Sequence, residues 1–272
     1  MKNIKYYAFP STVKEAVALL LNKKYKAMAL AGGTLVAKTL PETVETYLDI
    51  KNVPIKNIKL LGGNLVIGAG ATFDEIDRSK LCRGWADGVL SGAAAKCSSQ
   101  LIRNMATIGG NVARPHSFNI FPVVLLGLDA KVRLATCSGN RLVEFQDLYS
   151  SGLGLRPGMD SLITEIIIPV KTKKWKCEFI KLAKTESSWE SYITLLFSAE
   201  KKGKALTQVR VAVGALSPRP FRAPEAEKAL LAGTGAAAAA GAFASELEAA
   251  RAGEYRSSAA SSLFKRFAAS VG

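Results

Sequence analysis

The chain has 272 residues, 49% of them hydrophobic and 22% charged, proportions that exclude a disordered, collagen-like or disulfide-scaffold protein. Its net charge of +15, from 37 Lys and Arg against 22 Asp and Glu, attracts anions and acidic partners. The basic residues are scattered, however, at Lys23-Lys24, Lys171 to Lys176, Lys201-Lys202 and Lys265-Arg266, without an aromatic-and-glycine RNA motif, so nucleic acid is not the expected partner. No apolar run approaches the roughly 20 residues of a membrane span, and no apolar signal core follows Met1, which predicts a soluble, cytoplasmic protein. Cys82, Cys97, Cys137 and Cys177 lie far apart and His116 is the single histidine. These residues cannot by themselves make a conventional zinc site or a complete iron–sulfur cluster, so any metal redox centre belongs in a partner.

In chain order, Thr12 and Glu15 form a capping box ahead of Val13, Ala16, Val17, Leu20 and Leu21, which repeat at helical spacing. Ala27 to Leu30 reads as a strand that stops at Gly32-Gly33, and Thr34 to Leu40 as a short helix ended by Pro41. Tyr47 to Ile50 and Asn64 to Gly68 read as strands, and Ser91 to Asn104 is compatible with a helix. Pro122 to Leu128 is an apolar helical segment. Lys131 to Thr136 alternates as a strand and turns through Ser138-Gly139-Asn140 into Arg141 to Phe145. The strand Leu162 to Ile168 ends at Pro169, and the lysine-rich stretch from Lys171 marks the seam to a second domain.

Beyond the seam, Glu178 to Ala183, Tyr192 to Ala199 and Val209 to Ala215 predict three strands, with Lys201 to Lys204 as a hairpin tip. Ala236 to Ala252 has high helix propensity interrupted at Gly241 and Gly253, and Leu263, Phe264 and Phe267 give the last segment one apolar face. The expected class is α+β, with a small antiparallel sheet covered by helices at the C-terminal end.

Two glycine turns carry the chemistry. A glycine-rich turn running into a helix presents unpaired N–H groups and a positive dipole end to an anion, and two such turns can grip one pyrophosphate. The first is Ala31-Gly32-Gly33-Thr34-Leu35-Val36; the second is Thr107-Ile108-Gly109-Gly110-Asn111, followed by Asn119 as an N-cap. Either turn alone is also what a chain uses simply to pass through φ > 0 geometry.

Together with Arg103-Asn104, Leu125-Leu126-Gly127-Leu128-Asp129-Ala130, Leu162 to Ile166, Phe179-Ile180-Lys181, Gly214 to Pro220 and Glu254-Tyr255-Arg256, these turns resemble the FAD-binding medium subunit of the molybdenum hydroxylases, the family of xanthine dehydrogenase and carbon monoxide dehydrogenase. The resemblance holds in order and spacing over nearly the whole chain. It implies a two-subdomain FAD-binding domain of the PCMH type over residues 1–170, followed by a CO dehydrogenase flavoprotein-like C-terminal domain over residues 175–272. FAD would lie between the two halves of the first domain. The resemblance further implies that Ala31, Gly32, Gly33, Thr34, Leu35 and Val36 hold the pyrophosphate and that Thr107, Gly109, Gly110 and Asn111 close over it. Ile163 would line the isoalloxazine, Lys181 would approach its polar edge, and Cys97 would stand near the cofactor.

Three positions depart from the family pattern: Leu35 replaces a small polar residue, and Ile120 and Ser188 replace acidic ones. Asn119 and His116 are local substitutes for the lost hydrogen bonds. The implied function is an FAD-bearing electron-transfer subunit of a molybdenum hydroxylase complex, with molybdopterin in a large subunit and [2Fe-2S] clusters in an iron–sulfur small subunit. Electrons would pass to NAD, quinone, another carrier or oxygen. No side chain here is expected to act as nucleophile or general base, so no catalytic residue is assigned, and no metal site. The alternative is a non-enzymatic assembly subunit of the same fold that has weakened or lost flavin binding, and Leu35, Ile120 and Ser188 are the features that favour it.

Overall fold

A computed structural model describes residues 4–36, 41–185, 188, 190–203 and 205–272. Three sheets organise the chain. Strands β1 (Tyr6–Ala8), β2 (Ala27–Leu30) and β3 (Thr46–Asp49) form a parallel sheet in the order β1-β3-β2, with helix α1 (Val13–Leu21) between the first two. The Thr12 hydroxyl caps α1 by accepting from Glu15 N at 3.1 Å, while the Glu15 carboxylate reaches Ser11 N rather than closing the box on Thr12. The last residues of the helix expected over Thr34 to Leu40, 37–40, lie outside the described residues.

The second sheet is antiparallel. It contains β4 (Ile58–Leu61), β5 (Asn64–Gly68), β6 (Lys131–Thr136), β7 (Gly139–Glu144) and β8 (Leu162–Ile168) in the order β4-β5-β8-β6-β7. Strand β4 was not expected, because its exposed Leu60 and Leu61 break alternation; the positive φ of Gly62 and Gly63 turns it into β5. The β6–β7 turn is tighter than expected: Thr136 pairs with Gly139, so the strand starts at Gly139 rather than Arg141.

Between β5 and β6 run six short helices: α2 (Phe73–Arg78), α3 (Lys80–Arg83), α4 (Val89–Ala95), α5 (Gln100–Arg103), α6 (Ile108–Val112) and α7 (Phe121–Gly127). The helix expected over Ser91 to Asn104 is split, because Ser98 takes a positive φ of 49° and ends the α4 course. Arg103 clamps that break by donating to Ser98 O at 2.8 Å and to Cys97 O at 3.4 Å.

The third sheet, β9 (Lys176–Leu182), β10 (Ile193–Lys202), β11 (Ala205–Gly214) and β12 (Phe221–Arg222), is antiparallel in the order β12-β11-β10-β9. Lys201 and Lys202, expected at a hairpin tip, extend β10, and Lys204 lies outside the described residues. Helices α8 (Pro224–Leu231), α9 (Ala236–Ala249) and α10 (Glu254–Val271) cover one face. Gly241 does not interrupt α9 as expected: it is exposed, a Cβ there would meet nothing within 4 Å, and the alanines around it carry the helix through. Phe197 of β10 stacks with Phe264, ring centroids 5.2 Å apart, and Phe243 packs on the same ring at 5.2 Å, giving this sheet its own core.

The first two sheets and the six helices share the other core, which reaches across to Phe179, Leu196 and Ala212 of the third sheet. Helix α7 makes that crossing. Side chains at Gly127 and Gly214 would strike Leu196 and Val123, so glycine lets helix and sheet come into close contact, and Ser198 Oγ donates to Gly127 O at 2.7 Å. At the end of α7, Asp129 accepts from Lys171 Nζ at 2.7 Å and from Arg210 Nε at 2.9 Å. Burial alone would raise the Asp129 carboxyl, but the hydrogen bonds from Arg210 and Lys171 outweigh it and hold the group below the usual carboxylate range. The lysine-rich seam itself is a packed 3-10 turn, Val170–Lys174, whose buried Thr172 accepts from Trp85 Nε1 at 3.0 Å.

Candidate functional site

The first glycine turn leaves β2 where the parallel sheet ends. Ile50 N donates to Leu30 O at 3.0 Å, closing the ladder, and Ala29 N turns to the other side to meet Gly158 O at 2.8 Å. Gly33 then takes φ +68°, a conformation L side chains rarely adopt. Gly32 is required for a different reason: a Cβ on it would overlap the Met105 carbonyl, so the turn lies directly on the backbone that leads into the second glycine turn. Among the described residues, the amides of Gly32, Gly33 and Thr34 meet no protein acceptor.

The second turn is built otherwise. Thr107 caps α6, its hydroxyl accepting from Gly110 N at 3.1 Å. Ile108 N donates to Ala71 O at 3.0 Å, Gly109 N to Ala69 O at 2.8 Å, and Asn111 N to Thr107 O at 3.0 Å. Gly109 packs so tightly on this partner segment that a Cβ would lie 2.6 Å from the Ala69 Cβ. Every amide from Ile108 to Asn111 is therefore occupied inside the protein. The second turn forms a wall, and the expectation that its N–H groups would grip an anion is corrected: the carbonyls of the Ala69 to Ala71 segment already hold two of them.

The two turns face each other across a cleft partly open to solvent. Twelve of the residues singled out in the sequence line it: Ala31, Gly32, Gly33, Thr34, Leu35, Val36, Thr107, Gly109, Gly110, Asn111, Asn119 and Ile163. Asn111 and Asn119 are committed to structure. Asn111 Nδ2 donates to Asn119 Oδ1 at 3.2 Å, Asn111 Oδ1 accepts from Phe121 N at 3.0 Å, and Asn119 Nδ2 donates to Arg114 O at 2.9 Å. Ile163 enters from β8 beside Leu162, giving one end of the cleft an apolar wall.

Cys97 and Lys181 do not line the cleft. Lys181 Nζ, on β9, donates to Lys96 O at 3.0 Å and to Ser188 O, so the Ser188 backbone supplies an acceptor where the family pattern has a carboxylate. Cys97 sits beside it: burial pushes the thiol up to about 11, against the weaker pull of the Lys181 and Arg103 cations, which keeps it protonated at neutral pH. His116 turns away as well, its Nδ1 accepting from Phe118 N at 3.3 Å. Ile120 is 2% exposed and belongs to the core.

Sequence reasoning missed Arg114 and the Pro157-Gly158 loop. Arg114 is the one charged side chain among the described residues that line the cleft, and none of them is acidic. Gly158, with φ +85°, could have been found only through its long-range bond to Ala29. The site fits a dinucleotide: free amides and a glycine cradle at one turn, an apolar wall at Ile163, and no competing carboxylate. Among the described residues there is no cluster of metal-ligating side chains, and no helix is long and apolar enough to cross a membrane.

Comparison with known proteins gives two family matches. Residues 2–171 match the FAD binding domain in molybdopterin dehydrogenase, and residues 180–271 match the CO dehydrogenase flavoprotein C-terminal domain. The glyceraldehyde dehydrogenase medium chain of Sulfolobus acidocaldarius is 25% identical over 82% of this chain and 79% of its own length. The carbon monoxide dehydrogenase medium chain of Afipia carboxidovorans is 27% identical over 83% and 79%. A solved carbon monoxide dehydrogenase from Hydrogenophaga pseudoflava, lacking the Mo-pyranopterin moiety of its cofactor, superposes with a TM-score of 0.85 at 25% identity, covering 98% of this chain and 96% of the other.

Proposed function

The chain belongs to the FAD-binding components of the molybdopterin dehydrogenases, and from that premise we propose how it holds its cofactor and where it works. It is a flavoprotein component of an oxidoreductase, and the FAD lies in the cleft between the two glycine turns. Bound there, FAD supplies both one-electron and two-electron chemistry, which lets one carrier collect electrons singly and deliver them singly or in pairs. This chain's residues place the cofactor and shield it. The free amides of Gly32, Gly33 and Thr34 would donate to the pyrophosphate, Ala31, Leu35 and Val36 would shape the turn around it, and the wall of Thr107, Gly109, Gly110 and Asn111 would fix how closely it can approach. Ile163 would pack against the flavin and keep water from that face.

Cys97 and Lys181 lie outside the cleft lining. Lys181, its Nζ held by Lys96 O and Ser188 O, would offer a fixed positive charge to the polar edge of the ring, with Cys97 beside it. The partners are an iron–sulfur small subunit and a molybdopterin large subunit, which supply the metal centres this chain lacks the ligands to build. The electrons leave to an external acceptor, whether NAD, quinone, another carrier or oxygen. Four free cysteines, two of them buried, suit a reducing compartment, and we place the complex in the cytoplasm. The working division is a flavin domain over residues 1–170 and a C-terminal domain over residues 175–272.

The observation that carries this reading is the set of unpaired amides on a turn pressed against the Met105 carbonyl. Such a cradle disfavours the reading of an assembly subunit without flavin, because backbone donors to phosphate survive the side-chain changes at Leu35 and Ile120. Release and identification of flavin from the protein purified with its partners should give about one FAD per chain. Gly33→Val places a β-branched side chain at φ +68° and should empty the site while the Phe197 core stays folded. A folded variant that keeps its full complement of FAD overturns this placement of the pyrophosphate.

A further inference from the structure

We propose that Arg114 is the positioning residue for the FAD pyrophosphate in this chain, adding a charged side chain to the backbone donors of the first glycine turn. The inference rests on the FAD reading of the cleft. Free amides at the first turn satisfy part of a diphosphate, but a group with two negative charges leaving water also needs a counter-charge. Among the described residues lining the cleft, only Arg114 carries one. Ile120 is in the core and Leu35 has no polar atom in its side chain, so neither contributes a side-chain hydrogen bond.

The backbone at Arg114 is held by the same side-chain network that caps the start of α7. Asn119 is 7% exposed, and its two side-chain atoms are used to accept from Asn111 and to donate to the Arg114 carbonyl. Asn111 in turn accepts from Phe121 N, the first residue of α7. The loop from Arg114 to Asn119 is thereby tied through Asn111 to α6 and α7, which fixes the Arg114 backbone at the cleft, where the residue is half-buried. A guanidinium presents a planar fork of donors that matches two phosphate oxygens at once, which a lysine ammonium does not.

The test uses the full chain stripped of flavin, titrated with FAD and separately with riboflavin, which has no phosphate. Arg114→Gln should weaken FAD binding by about 10- to 100-fold and leave riboflavin binding unchanged. Arg114→Lys should recover part of the loss. Inorganic pyrophosphate should displace FAD from the wild-type chain more readily than from Arg114→Gln. FAD affinity within twofold of wild type in folded Arg114→Gln overturns the proposal, and so does an equal loss for riboflavin. If Arg114→Gln does not fold, wild-type affinity in Arg114→Lys together with indifference to pyrophosphate overturns it. The Gly33→Val variant separates the two readings: if it loses FAD while Arg114→Gln does not, the cleft stands and only the role of Arg114 falls; if neither variant loses FAD, the cleft itself is misplaced.

Discussion

The two glycine turns have nearly the same look in sequence and opposite physical jobs. At Gly32-Gly33 the glycines leave amides without partners and let the backbone lie on Met105, so the turn can give hydrogen bonds to something outside the protein. At Gly109-Gly110 the amides are spent on Ala69 and on the Thr107 cap, and the missing Cβ is needed because another strand of backbone occupies its place. A double glycine therefore reports close approach or unusual φ, and only the hydrogen-bond accounts of the neighbouring residues tell whether the approach is to a ligand or to the protein itself.

The sharpest way to break this comparison is to fill each glycine and ask what is lost. Gly109→Val drives a side chain into Ala69 backbone and should cost about 3 kcal/mol of stability in urea unfolding, well above the cost of Gly33→Val, whose penalty is mainly local strain. Equal stability losses for the two variants would mean that both turns are walls. Asn111→Ala should be next, at about 2 kcal/mol, because it leaves Phe121 N and Asn119 Oδ1 without partners inside the protein. A loss no larger than that of an exposed residue would show that the second turn does not depend on its side-chain lattice.

Asp129→Asn, outside both turns, should have the smallest effect, about 1–2 kcal/mol at neutral pH, with FAD affinity unchanged. Because the folded carboxyl titrates below its unfolded value of about 3.9, its contribution is present above that value and fades as the pH falls through the lower folded one. Stability curves of variant and wild type should therefore converge in strong acid. Parallel curves down to the lowest pH at which the protein folds would remove Asp129 from the account.

Much of the first turn was legible because its signals are local: an apolar strand, two glycines, then polar and apolar residues that leave the sheet together. The second turn was legible as a turn but the pairing of its amides was not, since carbonyls that occupy two of them come from Ala69 and Ala71, nearly forty residues earlier, and pairing at that range leaves no mark in a local pattern. Arg114 was passed over for a related reason. Its neighbours Asn119 and His116 looked like the hydrogen-bonding residues, yet Asn119 is consumed in holding the loop and His116 in a turn with Phe118. The break at Ser98 was hidden because helix-compatible composition cannot show a single positive φ. At Gly241 the reverse happened: an exposed glycine among alanines looked like an end and is merely a gap on the outer face of a continuous helix.

Helix α7 is under two turns long, yet one end receives its first amide's partner from Asn111 at the cleft and the other gives the Gly127 carbonyl to Ser198 in the third sheet. A strut fastened at both ends cannot open at one of them alone. Its amides should exchange with solvent hydrogen only when the cleft wall and the C-terminal sheet open together, making the two a single cooperative unit.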